Sequence, residues 1–198
     1  MAHIILASGS PRRRELLQRI GLEDFTVSVP EVEETYPAGL TPQEIVCCIS
    51  REKNAAVAAA DDDIVITADT MVFLDEQKLG KPRSEAHALE MLTALQGRRH
   101  TVCTGVTVRR GKEILTRAQS TDVYFRPASR EELLSYIASG EPMDKAGAYG
   151  VQGQGALLVE RIDGDFFNVM GLPVLLLHEM LRHFGVDLLS SHQQRNAL

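Results

Sequence analysis

The residues best suited to chemistry stand near the start of the chain. Leu6-Ala-Ser-Gly-Ser-Pro-Arg-Arg-Arg14 gathers two hydroxyls, a glycine and two or three guanidinium groups where a short apolar run gives way to a helical pattern. Ser10 is a good N-cap, and Pro11 falls at the first helical position, where a missing N–H costs nothing. Cations at a helix N-terminus oppose the helix dipole, which favours negative charge there. The placement makes sense when an anion sits among them, and backbone N–H groups, the Ser8 and Ser10 hydroxyls and a guanidinium fork together suit a phosphate. An exposed basic helix start is the plainer reading of the same segment.

A second signal is Asp69, which interrupts the apolar run Ile64-Val-Ile-Thr-Ala-Asp-Thr-Met-Val-Phe-Leu74 with no Gly or Pro beside it. Burying an unpaired carboxylate costs several kcal/mol or shifts its pKa, so Asp69 reads as a metal ligand, a base or half of an ion pair. Lys53 falls on the apolar stripe of Ile45, Val46, Ile49 and Ala56, where a lysine either snorkels outward or meets an anion. Gly80-Lys81-Pro82 is a basic turn able to return another lysine to the same place. Gly147, Gly150, Gly153 and Gly155 leave little side chain in the stretch from Gly140 to Gly155, so backbone can approach a ligand closely, with Asp144 and Lys145 adding charge at its entry. A flexible surface loop is the alternative there.

Cations match a polyphosphate, and Asp69 with Glu33 or Glu34 could hold a divalent metal bridging phosphate oxygens. Hard oxygen ligands favour Mg²⁺ or Mn²⁺. A carboxylate could then activate water for in-line attack at phosphorus. The chain has no Gly-x-Ser-x-Gly elbow, no Walker A loop and no kinase signature set, which disfavours serine hydrolase and phosphotransferase chemistry. The residues alone lead to a metal-dependent phosphate-ester or anhydride site, without the base or the bond cleaved.

The elements that must position these groups follow from periodicity. Ile4 to Leu6 predicts a buried strand, Pro11 onward a helix, and Phe25 to Val29 a second strand, followed by an acidic loop from Pro30 to Gly39. Thr41-Pro-Gln-Glu44 is a capping box opening a helix to about Ala60, and Ile64 to Leu74 a buried strand. Ser84 caps a helix ending before Gly97. Strands follow at about His100–Arg109 and Ile114–Phe125, joined by Arg110-Gly-Lys112. Ser129-Arg-Glu-Glu132 opens a helix to about Ala138. Two short strands are expected around Leu157–Val159 and Phe166–Val169, then a turn at Gly171-Leu-Pro173, a helix to about Phe184, and a frayed tail over 190–198.

With 198 residues, 44% apolar and 24% charged, the chain has the composition of a globular protein with one substantial core. A net charge of −6 argues against nucleic-acid binding through a broad basic surface, and locally clustered Arg and Lys in a mostly acidic chain suggest a small anionic ligand. Cys47, Cys48 and Cys103, odd in number and set in apolar segments, read as reduced thiols in a cytoplasmic protein. The first apolar run is too short for a signal peptide, and no stretch is suited to spanning a membrane.

Five motifs together closely resemble the Maf family of nucleoside triphosphate pyrophosphatases. They are Ser8-Gly-Ser-Pro-Arg-Arg13, Ala68-Asp-Thr70, Gly80-Lys-Pro82, Asp144-Lys-Ala-Gly-Ala-Tyr-Gly-Val-Gln-Gly153 and Val169-Met-Gly-Leu-Pro173, in the family's order from about Ile4 to Phe184. The resemblance implies one Maf-like domain over 1–198, with its core at about 4–184. Its fold would be α/β, an elongated mixed β-sheet with flanking helices and two lobes around a central cleft, like the inosine triphosphate pyrophosphatases. It also implies cleavage between the α- and β-phosphates, and a homodimer. Carried over by position, Asp69 is the proton acceptor. Ser8, Arg12, Arg13, Lys53, Lys81, Asp144 and Lys145 contact the substrate. Glu34 helps hold metal with Asp69, Glu33 standing one position away. Arg12, Thr70 and Gln152 are tied to base choice, and the late motif looks like the branch acting on dTTP and UTP. The alternatives are a non-catalytic, nucleotide-responsive regulator of cell division and the sister branch acting on 7-methyl-GTP.

Overall fold

The computed structural model describes residues 3–189, so the tail expected over 190–198 lies outside the described residues. The chain begins with β1 (Ile4–Leu6), α1 (Pro11–Arg19), β2 (Thr26–Val27), α2 (Pro42–Ala55), β3 (Ile64–Leu74), β4 (Gln77–Leu79) and α3 (Glu85–Leu95). It continues with β5 (Arg99–Arg110), β6 (Glu113–Phe125), α4 (Arg130–Ala138), three short 3-10 turns, β7 (Val159–Asp163), α5 (Phe166–Met170) and α6 (Val174–His183). Both capping boxes form: Thr41 Oγ1 accepts from the Glu44 N–H while the Glu44 carboxylate accepts from the Thr41 N–H, and Ser129 with Glu132 repeats the exchange.

The strands form one mixed sheet in the order β2-β1-β3-β5-β6-β7, with β4 also beside β3. How β3 is paired explains the architecture. One of its edges carries β5 from Ile64 to Phe73. The other is shared between β1, parallel at Ile64–Ile66, and β4, antiparallel at Val72–Leu74. The stretch from Thr67 to Met71 has no strand on that edge, so the sheet forks there. Beside β1, Leu6, Leu16, Leu17, Ile66, Leu177 and Leu181 make one buried core. Beside β4, Val72, Leu92, Leu95, Phe125, Leu133 and Ile137 make another. At about 3.3 Å per residue, β3, β5 and β6 (11, 12 and 13 residues) are long enough to run through both lobes. The fold is therefore the elongated α/β mixed sheet with two lobes that the family resemblance implies.

Helix α2 crosses the sheet on the face where Ile45, Val46 and Ile49 meet Met71, Phe73 and Cys103. Gly105, opposite Asp69 in the ladder, lets it come close: a Cβ there would lie 2.4 Å from the Val46 carbonyl.

Several boundaries differ from expectation. Helix α2 ends at Ala55 rather than Ala60, because the Arg109 guanidinium takes the Asn54 and Val57 carbonyls and the Asp63 carboxylate takes the Ala60 N–H. The strand expected at Phe25–Val29 pairs only at Thr26 and Val27, since β1 is just three residues long. Leu157 lies in a 3-10 turn (Gln154–Leu158), and the strand starts at Val159. Phe166–Val169 is helical rather than extended: the Asp165 carboxylate accepts from the Phe167 N–H, and Gly171, at φ 109°, closes the turn. Strand β4 was not expected, and the glycine-rich stretch is coiled into 3-10 turns rather than open.

Candidate active site

The fork in the sheet opens into a cleft of 1310 Å³ lined by Ser8 to Arg13, the acidic loop, Lys53, Ala68 to Val72, Lys81 and the glycine-rich stretch. Alternation along β3 sends Asp69 to the α2 face and Thr70 to the α1 face. Because the edge is open between them, both line the same cleft.

On the α2 face, Lys53 lies 2.7 Å from Asp69 Oδ1 and 2.7 Å from Glu34 Oε1. Its place on the apolar stripe thus ends in an ion pair. Asp69 is only 6% exposed, and its Oδ2 is buried without a hydrogen-bond partner among the described residues. Leaving such an oxygen unpaired costs on the order of 1–3 kcal/mol, and Asp69, unlike Asn168 and His178, which also bury an unpaired atom, lines the cleft. Glu34, not Glu33, is the acidic-loop residue that reaches Lys53, while Glu33 lines the cleft without a side-chain partner among the described residues.

On the α1 face, Arg13 is held at three points. Its Nε donates to the Gly171 carbonyl at 2.8 Å, and its two terminal nitrogens donate to Ser8 Oγ at 3.1 Å and Thr70 Oγ1 at 3.0 Å. Burial lowers the pKa of this guanidinium and the charge of Asp69 opposes the shift. Thr70 meets Thr104, whose hydroxyl donates to the Asn168 carbonyl, so α5 braces the same network. Ser10 caps no N–H with its side chain; its own N–H donates to Ser8 Oγ. Arg14 is exposed and does not line the cleft, which leaves Arg12 and Arg13 as the arginines of the site.

Across the cleft, Arg12 pairs with Asp144 at 3.2 Å, and Lys145 donates to Asp144 at 2.6 Å and to the Glu141 carbonyl at 2.6 Å. Burial works to raise the Asp144 carboxyl, but hydrogen bonds from Lys145 and Arg12 outweigh it and hold the group below its usual value. Lys81 and Gln152 line the cleft and are exposed. Ser8, Arg12, Arg13, Glu34, Lys53, Asp69, Thr70, Lys81, Asp144, Lys145 and Gln152 therefore border one cavity, whereas Arg14, Gly147 and Gly155 do not line it.

Some lining residues escaped the sequence reading. Lys78, on β4, adds a cation and donates to the Tyr36 hydroxyl at 2.8 Å. The Glu141 carboxylate accepts from Tyr136 and from the Gln154 and Gly155 N–H groups. Its signal in the sequence was indirect: closely spaced glycines imply something packed against them. Tyr149, part of the late motif, is buried beside Phe125 and shares a 2.8 Å hydrogen bond with His100, a residue the sequence did not single out, whose pKa burial pushes down to about 4.

Among the described residues no group of three or more His, Cys, Asp or Glu side chains gathers as a metal cage. Asp69 and Glu34 nevertheless converge on one cation, and Asp69 keeps an oxygen free. Magnesium commonly takes one or two carboxylates and completes its shell with phosphate oxygens and water. The pair fits an ion that arrives with its phosphates. No helix among the described residues is long and apolar enough to cross a membrane.

Residues 3–184 match the model of a family described as Maf-like protein. A dTTP/UTP pyrophosphatase from Moorella thermoacetica is 49% identical over 191 residues, covering 94% of this chain and 97% of that protein. A dTTP/UTP pyrophosphatase from Bacillus cereus (strain ZK / E33L) is 46% identical over 188 residues, covering 94% and 98%. Among solved structures, a HAM1 protein from Coxiella burnetii superposes with a TM-score of 0.45 at 16% identity, covering 79% of this chain and 91% of that one.

Proposed function

Because the chain belongs to the Maf family, we propose that it is a nucleoside triphosphate pyrophosphatase acting on dTTP and UTP, releasing the nucleoside monophosphate and pyrophosphate. The observation that carries the mechanism is Asp69, a cleft-lining residue: one carboxylate oxygen is held by Lys53, and the other is buried without a hydrogen-bond partner among the described residues.

The triphosphate lies at the start of α1, beside Ser8, where the helix N-terminus favours an anion and Arg12, Lys53 and Lys81 balance its charge. Arg13, tied to Ser8, Thr70 and Gly171, fixes the floor under the phosphates. Asp69 Oδ2 takes a proton from water as the water oxygen bonds to the α-phosphorus. The bond from that phosphorus to the bridging oxygen breaks, and pyrophosphate leaves with its charge spread over the surrounding cations. Glu34 and Asp69 would hold Mg²⁺ or Mn²⁺, which neutralises charge on the phosphates when bound. Arg12, Thr70 and Gln152 choose the base. A homodimer and a cytoplasmic location belong to the same proposal.

Incubating the protein with each NTP and dNTP and with 7-methyl-GTP, plus Mg²⁺ or Mn²⁺, and separating pyrophosphate from orthophosphate tests it. Pyrophosphate from dTTP and UTP ahead of the others is the expected outcome. Preference for 7-methyl-GTP would move the chain to the sister branch, and binding without turnover would make it a regulator.

A further inference from the structure

Building on the pyrophosphatase reading, we propose that Glu141 is a positioning residue for base selection, setting the loop that carries Gln152. Its carboxylate is the point around which that loop closes. Oε1 accepts from the Tyr136 hydroxyl at 3.0 Å and from the Gly155 N–H at 3.2 Å, and Oε2 accepts from the Gln154 N–H at 2.8 Å. The Tyr136 hydroxyl in turn accepts from the Gly150 N–H at 3.0 Å. Both ends of the segment from Gly150 to Gly155 are thus tied to one acid and its tyrosine, with Gln152 exposed at the cleft between them.

The glycines are what this arrangement demands. A Cβ at Gly153 would fall 2.2 Å from Glu141 Oε2, and one at Gly155 would fall 2.5 Å from the Tyr136 hydroxyl. Glu141 also reaches the opposite wall through its backbone: its carbonyl holds Lys145, Lys145 holds Asp144, and Asp144 holds Arg12. Its side chain therefore fixes the backbone that carries Gln152, its carbonyl is linked to the Arg12 wall through Lys145 and Asp144, and it makes no hydrogen bond to Asp69 or Lys53. A glutamine side chain offers both a donor and an acceptor, so it reads a base edge only when its backbone is held at one height and angle. Glu141 supplies that constraint without touching substrate.

The test compares wild type with Glu141→Gln, Gly153→Ala, Glu141→Ala and the double variant Glu141→Ala/Gly153→Ala, measuring kcat and KM for pyrophosphate release from dTTP and dCTP. Glutamine keeps the shape but turns an N–H toward a backbone donor, and an alanine Cβ at Gly153 displaces the carboxylate. Each single change is expected to reduce the dTTP-over-dCTP ratio of kcat/KM by about tenfold, the scale of a lost charge-assisted hydrogen bond, with kcat at saturating dTTP within about twofold. In the Glu141→Ala background, Gly153→Ala should add less than about a twofold further loss, because the clash is gone. Tyr136→Phe, which removes one hydroxyl and keeps the buried ring, should lower the ratio in the same direction and serves where a Glu141 variant does not fold. An unchanged ratio in folded variants, or a Gly153→Ala effect equal in both backgrounds, overturns the proposal while leaving the pyrophosphatase reading intact. No pyrophosphate from any nucleotide with wild type defeats that reading itself, and this inference with it.

Discussion

Of the two arginines that open α1, Arg13 has three of its five N–H donors committed, to the Gly171 carbonyl, Ser8 and Thr70, while among the described residues Arg12 holds the exposed Asp144. The difference matters for energetics. A pair such as Arg12–Asp144, with side-chain exposures of 31% and 63%, contributes little to stability and is free to exchange its partner for a phosphate. Arg13 is a structural fork, and an ammonium at the same place cannot span three acceptors in a plane. Arg13→Lys should therefore cost about 1–3 kcal/mol in urea unfolding, and unchanged stability would show that the three contacts are dispensable. Lys53 was legible as a cation out of place on an apolar stripe, and Asp69 as an acid out of place in a strand. That they meet was not legible, because nothing local relates a helix residue to a strand residue 16 positions away.

Helix α2 carries Lys53, so its seat on the sheet sets where the lysine ends. Gly105 makes that seat, being directly beneath the Val46 backbone and opposite Asp69. Gly105→Ala should push the helix outward, lowering stability by about 1–3 kcal/mol as overpacking does, and should reduce pyrophosphate release as the Lys53–Asp69 contact lengthens. Thermal melting alongside turnover checks both, and a fully active, fully stable variant would contradict the close packing. Elements with a local cause were read well from sequence: the capping boxes at Thr41 and Ser129 and the apolar runs of β1 and β3 stand where expected. Elements with a tertiary cause were not. The short α5 follows from Asp165 and Gly171 closing a turn around buried Asn168, whose side-chain N–H₂ donates to the Val102 carbonyl and to Thr121. The end of α2 is set by Arg109, from another strand. β4 is three residues with two exposed side chains, too short to announce itself by periodicity.

At the scale of the molecule, the fork in the sheet gives each lobe its own core and leaves the active cleft between them, so acid stability and function separate. In the lobe beside β4, His100 is buried and stays neutral until about pH 4, against 6.5 for an ordinary imidazole. Between those values the unfolded chain binds the additional proton, so stability rises with pH across the window and is lost as pH falls from 6.5 toward 4. The loss amounts to about 3 kcal/mol. His100→Gln keeps a partner for Tyr149 and removes the titration, so its fall in unfolding free energy between pH 7 and pH 4 should be about 3 kcal/mol smaller than wild type. Identical falls would mean that other groups set the acid limit. For function, the whole account rests on Asp69 taking a proton from water in a cleft whose cations hold the triphosphate. The direct measurement is pyrophosphate release from dTTP by Asp69→Asn beside wild type, with nucleotide affinity determined for both. A drop of about 100-fold or more in turnover with affinity retained is the predicted result; turnover near the wild-type rate would remove Asp69 from the chemistry.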